Sequence, residues 1–106
     1  MLLCEIINSP SAGTVSILKR KALDKDVRAA LDTGRVESVG LLQGQLAQII
    51  VASDIAAKGA DVLVSEISGS CPQHITMIAL FGTTSAVRTA LNTVRDRIPC
   101  KSAMKA

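Results

Sequence analysis

Aromatic residues are nearly absent: the 106-residue chain has one Phe, at position 81, and no Tyr or Trp. That removes the stacking platforms on which single-stranded nucleic acids are held. At a net charge of +3 the cations are scattered along the chain, without the basic stripe of a nucleic-acid binder. A nucleic-acid partner is therefore excluded. One His leaves too thin an inventory for acid–base catalysis, so the chain is not read as an enzyme. No apolar run reaches the ~20 residues needed to cross a bilayer, because Asp54 and Lys58 interrupt the longest candidate. Three cysteines at irregular spacing make no disulfide framework. The opening Met1-Leu2-Leu3-Cys4 has no charged start and is too short for a signal segment. A cytoplasmic protein with reduced thiols and no membrane partner is expected.

What remains is aliphatic. Hydrophobic residues make up 48% of the chain, so the core must be built from Ile, Leu, Val and Ala. At this length one domain spanning 1–106 is expected, burying roughly two-thirds of its unfolded surface. Residues 1–8 favour an extended segment, and Ser9-Pro10-Ser11-Ala12-Gly13 breaks it. Residues 14–21 alternate, with Val15 and Ile17 on one side, and predict a second strand. Leu23, Val27 and Leu31 recur every four residues, with Asp24 to cap and Gly34 to end a helix over 23–33. A strand over 36–42 precedes a helix over 44–59, with Leu46, Ile49, Ile50 and Ile55 as its buried stripe. Gly40 and Gly44 read as strand and turn glycines, since no phosphate-loop spacing surrounds them.

Strands at 61–67 and 75–82 are apolar on both faces and are expected to lie centrally. A last helix over 85–98 is capped by Thr84 or Ser85, buries Val87, Leu91, Val94 and Ile98, and stops at Pro99. The tail 99–106 reads as flexible. From 36 to 98 the order β-α-β-β-α is most of a ferredoxin-like split β-α-β unit. Its last strand is missing after residue 99, and the strand predicted at 14–21 would supply it from the front. The fold class is α+β, an antiparallel sheet with helices packed on it.

Between the strands at 61–67 and 75–82 lies the chain's most distinctive run: Ser68, Gly69, Ser70, Cys71, Pro72, Gln73 and His74. Gly69 permits a tight turn and Pro72 fixes the backbone just past the sulfur. A thiol on such a turn is placed to meet something outside its own subunit, either copies of itself round an axis or a metal. His74 opens a strand and is read as a surface residue. Cys4 and Cys100 have apolar or terminal neighbours, lack a partner at metal spacing, and read as packing residues or free thiols.

Val39-Gly40-Leu41-Leu42, the run Ala52-Ser53-Asp54-Ile55-Ala56-Ala57-Lys58-Gly59-Ala60-Asp61-Val62, the loop at 68–74, and Ala86-Val87 with Ala90-Leu91 together resemble a bacterial microcompartment (BMC) shell domain. With its extra strands placed first, the chain resembles the circularly permuted U and S types of propanediol- and ethanolamine-utilisation shell proteins. The resemblance implies a homohexamer that tiles with other shell proteins into a sheet enclosing enzymes. It implies that the loop at 68–74 lines the pore on the sixfold axis, that Lys58 lies at the edge between hexamers, and that residues 1–12 cap one pore mouth.

Cys71-Pro72 departs from the glycine- and serine-rich loops common in the family. It resembles shell proteins that hold an iron–sulfur cluster, including a U-type form associated with glycyl-radical microcompartments. One cysteine is too few for a cluster, which takes about four thiolates, but six copies converging on an axis are enough. The resemblance implies Cys71 as ligand to a 4Fe-4S cluster used for electron transfer or cluster transport. The alternative is a small ferredoxin-like ligand-binding regulatory domain without a cluster.

Overall fold

The computed structural model describes residues 1–69 and 75–102. Its strands are β1 (Leu2–Asn8), β2 (Ser38–Gln45), β3 (Leu63–Ile67), β4 (Ile75–Gly82) and β5 (Cys100–Ser102). Its helices are α1 (Ala12–Lys21), α2 (Lys25–Asp32), α3 (Leu46–Gly59) and α4 (Thr84–Arg97). The strands form one sheet in the order β3-β4-β2-β1-β5, with every neighbouring pair antiparallel except β1 and β5. β2, α3 and β3 make a split β-α-β unit with β4 inserted between its strands.

The fourth strand of that ferredoxin-like arrangement is β1. It pairs with β2 from Leu3 opposite Gln43 to Asn8 opposite Ser38. The permuted order is therefore real, but 2–8 supplies the missing strand. Residues 14–21, expected to do so, are helical. The expected pore cap is also corrected, because β1 lies inside the sheet, hydrogen-bonded to β2 on one side and β5 on the other. Cys100–Ser102, expected to be loose, is the edge strand beside it, and Leu2 N donates to Pro99 O at 2.9 Å.

Two physical signals make 12–21 a helix. Ser11 Oγ accepts from Thr14 N at 3.2 Å, which caps the first turn, and Lys19, Arg20 and Lys21 sit in the last turn, where cations favour the helix dipole. Leu18 and the half-buried Val15 share one face, whereas Ile17, whose alternation suggested a strand, is 48% exposed. In α2 the expected cap holds: Asp24 Oδ1 accepts from Asp26 N at 2.8 Å and Val27 N at 3.1 Å. Gly34 turns the chain out at φ +71°, a conformation that favours glycine.

The sheet is covered on both faces. On one side α3 and α4 pack over Leu2, Cys4, Leu42, Ile78 and Leu80; on the other, α1 and α2 place Leu18, Val27 and Leu31 against Val39, Ala79 and Phe81. Close approach of α4 depends on Gly40, where a Cβ would stand 3.1 Å from Val87 Cγ1 and 3.2 Å from Leu91 Cδ1. α4 starts one residue earlier than expected, capped by Thr83, whose Oγ1 accepts from Ala86 N at 3.1 Å. β3, expected to be central, lies at the sheet edge, and Leu63 on it is 42% exposed.

The buried stripe of α3 also differs from expectation. Ile49, Ala52, Ile55 and Ala56 face the sheet, while Leu46 and Ile50 point outward. Ala52 and Ala56, small side chains one helical turn apart, let α3 lie close to the sheet beside Ile49 and Ile55, and Leu46, Ile50 and Val51 are left uncovered.

Candidate functional site

The loop at 68–74 joins the ends of β3 and β4, where the last cross-strand pair is Ile67 opposite Met77. Ser68 and Gly69 are exposed at its base. The other residues expected there, Ser70, Cys71, Pro72, Gln73 and His74, lie outside the described residues.

The base of the loop is held from one side by the corner between α1 and α2. Lys21 O accepts from Ser68 N at 2.8 Å, and Ala22 forms an isolated antiparallel bridge with Ile67. Ser65 is 3% exposed, and its Oγ accepts from Leu23 N and Asp24 N, each at 3.1 Å, while donating to Glu66 O at 2.9 Å. Leu23 N also donates to Glu66 O at 3.1 Å. Residues 21–24 thus act as a short extra strand on the outer edge of β3. Arg28 extends this brace by donating from Nη1 to Ala22 O at 2.9 Å. Sequence reading missed it, because the contact depends on α1 being a helix that ends at Lys21.

Lys58, the expected edge residue, is exposed in the last turn of α3, with Nζ 2.8 Å from Asp54 Oδ2 one helical turn back. Beside α3, on the α4 side of the sheet, an open groove of about 360 Å³ is lined by Leu46, Ile49, Ile50, Val64, Glu66 and Ile78, among others. Leu46, Ile50 and Val51 are 49%, 60% and 50% exposed on the same helix.

The structure also brings together two thiols that the sequence had separated. Cys4 is fully buried on β1, and Cys100 packs against the same cluster from β5. Burial, followed by a hydrogen bond and charge interaction with the Cys100 thiol, pushes the Cys4 thiol up to about 12; Glu5 adds to this and Arg95 opposes it. Cys4 is therefore a poor thiolate. Folded protein keeps this proton at pH values where the unfolded chain loses it, so the group's contribution to stability is complete below about pH 9 and declines above it. By pH 10.5 the loss reaches roughly 2 kcal/mol, and Cys4→Ala should flatten that part of the curve. Urea unfolding of both proteins at pH 8 and pH 10.5 measures the difference; parallel losses would reject the assignment. Among the described residues no group of three or more His, Cys, Asp or Glu is placed to hold a metal ion.

The BMC domain model matches residues 38–104, the stretch from β2 through β5. The ligand-free GrpU microcompartment shell protein from Pectobacterium wasabiae is 33% identical, with a TM-score of 0.67 over 88% of this chain and 99% of that one. The corresponding GrpU protein from Clostridiales bacterium 1_7_47FAA is 29% identical, with a TM-score of 0.62 over 87% and 86%. A fused permuted hexameric shell protein of the RMM microcompartment is 17% identical, with a TM-score of 0.65 over 93% of this chain and 46% of that one, and is similar in fold. No curated protein matches the chain. These likenesses do not favour the regulatory-domain alternative. With a permuted ferredoxin-like sheet and a family match over most of its length, the chain belongs to the BMC-domain family and is a structural protein of a bacterial microcompartment shell in the cytoplasm, not an enzyme.

Proposed function

We propose that the chain forms a cyclic homohexamer that tiles with other shell proteins into a wall around enclosed enzymes, with the loop at 68–74 from six copies gathered at the axis. The observation that carries this is the uncovered apolar side of α3, with Leu46, Ile50 and Val51 beside an open groove. Aliphatic surface left together in this way marks a protein–protein contact. A ring suits it, because each copy then covers its neighbour; the fused permuted relative is described as hexameric. Lys58, exposed at the C-terminal end of α3, is the proposed contact between neighbouring hexamers.

Within this ring Cys71 is the proposed ligand of an iron–sulfur cluster of the 4Fe-4S kind, in a U-type permuted shell protein. The donor set favours that residue. Cys4 is buried and Cys100 is packed beside it on β5, so both are committed to the sheet. One thiol per chain then becomes six around an axis, enough for a centre that takes about four. Sixfold symmetry cannot be matched by four ligands, so some Cys71 thiols stay free in each ring. When bound, the cluster would supply one-electron transfer through the wall or be passed between lumen and cytosol. The chain's own part is to hold the loop base through Ser65, Ser68 and Lys21.

Anaerobically purified wild type is expected to carry iron and acid-labile sulfide, with brown thiolate–iron absorbance. Cys71→Ser should lose all three while light scattering still reports a hexamer. Iron-free wild type would remove the cluster and leave the shell reading intact. Lys58→Asp should leave hexamers in solution but weaken extended sheets seen by electron microscopy; unchanged sheets would rule out the edge role.

A further inference from the structure

We infer that the corner between α1 and α2 forms a cationic collar at the pore mouth that gathers small anionic solutes, carboxylates or phosphates, on that face of the shell. This rests on the pore reading above and adds the chemical class of what approaches the pore.

Three observations bring positive charge to the loop base. Lys21 is bonded directly to it through its carbonyl, which accepts from Ser68 N at 2.8 Å. Arg28 is anchored at the same corner, with Nη1 2.9 Å from Ala22 O. Arg20, Lys21 and Lys25 are all exposed around that corner.

The neighbouring carboxylates cancel only part of this charge. Asp32 is paired with Lys19. Asp24 is engaged as the cap of α2, with its Oδ1 accepting from Asp26 N and Val27 N. Glu66 follows Ser65 on β3 and so turns to the opposite face, where it lines the α3 groove and Oε2 accepts from Thr76 Oγ1 at 3.4 Å. With the Lys19–Asp32 pair set aside, Arg20, Lys21, Lys25 and Arg28 stand against only Asp24 and Asp26. This small excess per chain is repeated around the ring. Convergent charge of one sign at a narrow opening raises the local concentration of counter-charged solutes.

Arg35 does not share this placement. Arg35 is exposed beside Val36 and Glu37, and Glu37 N donates to Gly82 O at the far end of β4 from the loop. It provides the charge control. The test is calorimetric titration of wild-type hexamer with inorganic tripolyphosphate at low salt, with citrate as the carboxylate arm and light scattering on the same samples. One probe should bind per hexamer, and affinity should fall steeply as salt rises, because about 0.1 M salt screens beyond ~10 Å. Lys21→Glu and Arg20→Glu should each weaken binding by about tenfold, and Arg35→Glu should leave it unchanged. Binding of both probes assigns anions in general, and binding of one assigns its class. Six probes per hexamer, equal losses in all three variants, or no binding would overturn the collar while the hexamer stands. A sample that is not hexameric would instead overturn the pore reading, and the collar with it.

Discussion

Phe81→Ala should lower the unfolding free energy by about 3–5 kcal/mol, measured by urea denaturation at neutral pH. Phe81 is 1% exposed and lies between Val39 and Leu63 in the sheet, facing Leu18, Val27 and Leu31. It is also the chain's only aromatic, so its neighbours are aliphatic side chains too short to collapse into the space the ring would leave. For a domain whose total stability is of order 5–15 kcal/mol, such a loss is a large fraction of the whole. Phe81→Leu should cost much less, because most of the volume remains. A cost below about 1 kcal/mol for the Ala variant would mean that α1 and α2 do not pack on that face of the sheet.

Ile50→Glu is expected to abolish the hexamer and leave a folded monomer. Ile50 is 60% exposed, so a carboxylate there meets water in the single chain and should change its stability by no more than about 0.5 kcal/mol. Covered by a neighbour, the same charge would be taken out of water without a partner, at a cost of several kcal/mol per copy. The effect is repeated at each contact, so the ring should fail altogether. Light scattering gives the mass and circular dichroism the fold. An intact hexamer would show that the α3 face is not the contact, and an unfolded variant would show that Ile50 supports its own domain.

Much of this architecture is legible in the residues. Asp24 with Val27 and Leu31 announces α2, and Val87, Leu91 and Val94 announce α4, because a cap and a buried stripe agree in each case. Residues 14–21 mislead because Val15, Ile17 and Leu18 satisfy two periods at once. The helical period prevails through Leu18 and the cap at Ser11, and Ile17 is left outside. In α3 the large side chains draw attention from the Ala positions that lie against the sheet. The proximity of Cys4 and Cys100 had no signal at all, since it follows from a parallel pairing between the two ends of the described chain. The brace on the loop base, through Ser65 and Lys21, was invisible for the same reason. It joins residues more than forty positions apart, and only the folded topology makes them neighbours.

The pairing of Leu2 with Cys100 has a bearing on how such domains diversify. The strand that completes the split unit beside β2 comes from the front of the sequence, and the strand next to it comes from residues almost a hundred positions later. Hydrogen bonding in a sheet depends on which strands lie side by side and not on the order in which the chain visits them, so one wall-forming sheet can be encoded by differently ordered sequences.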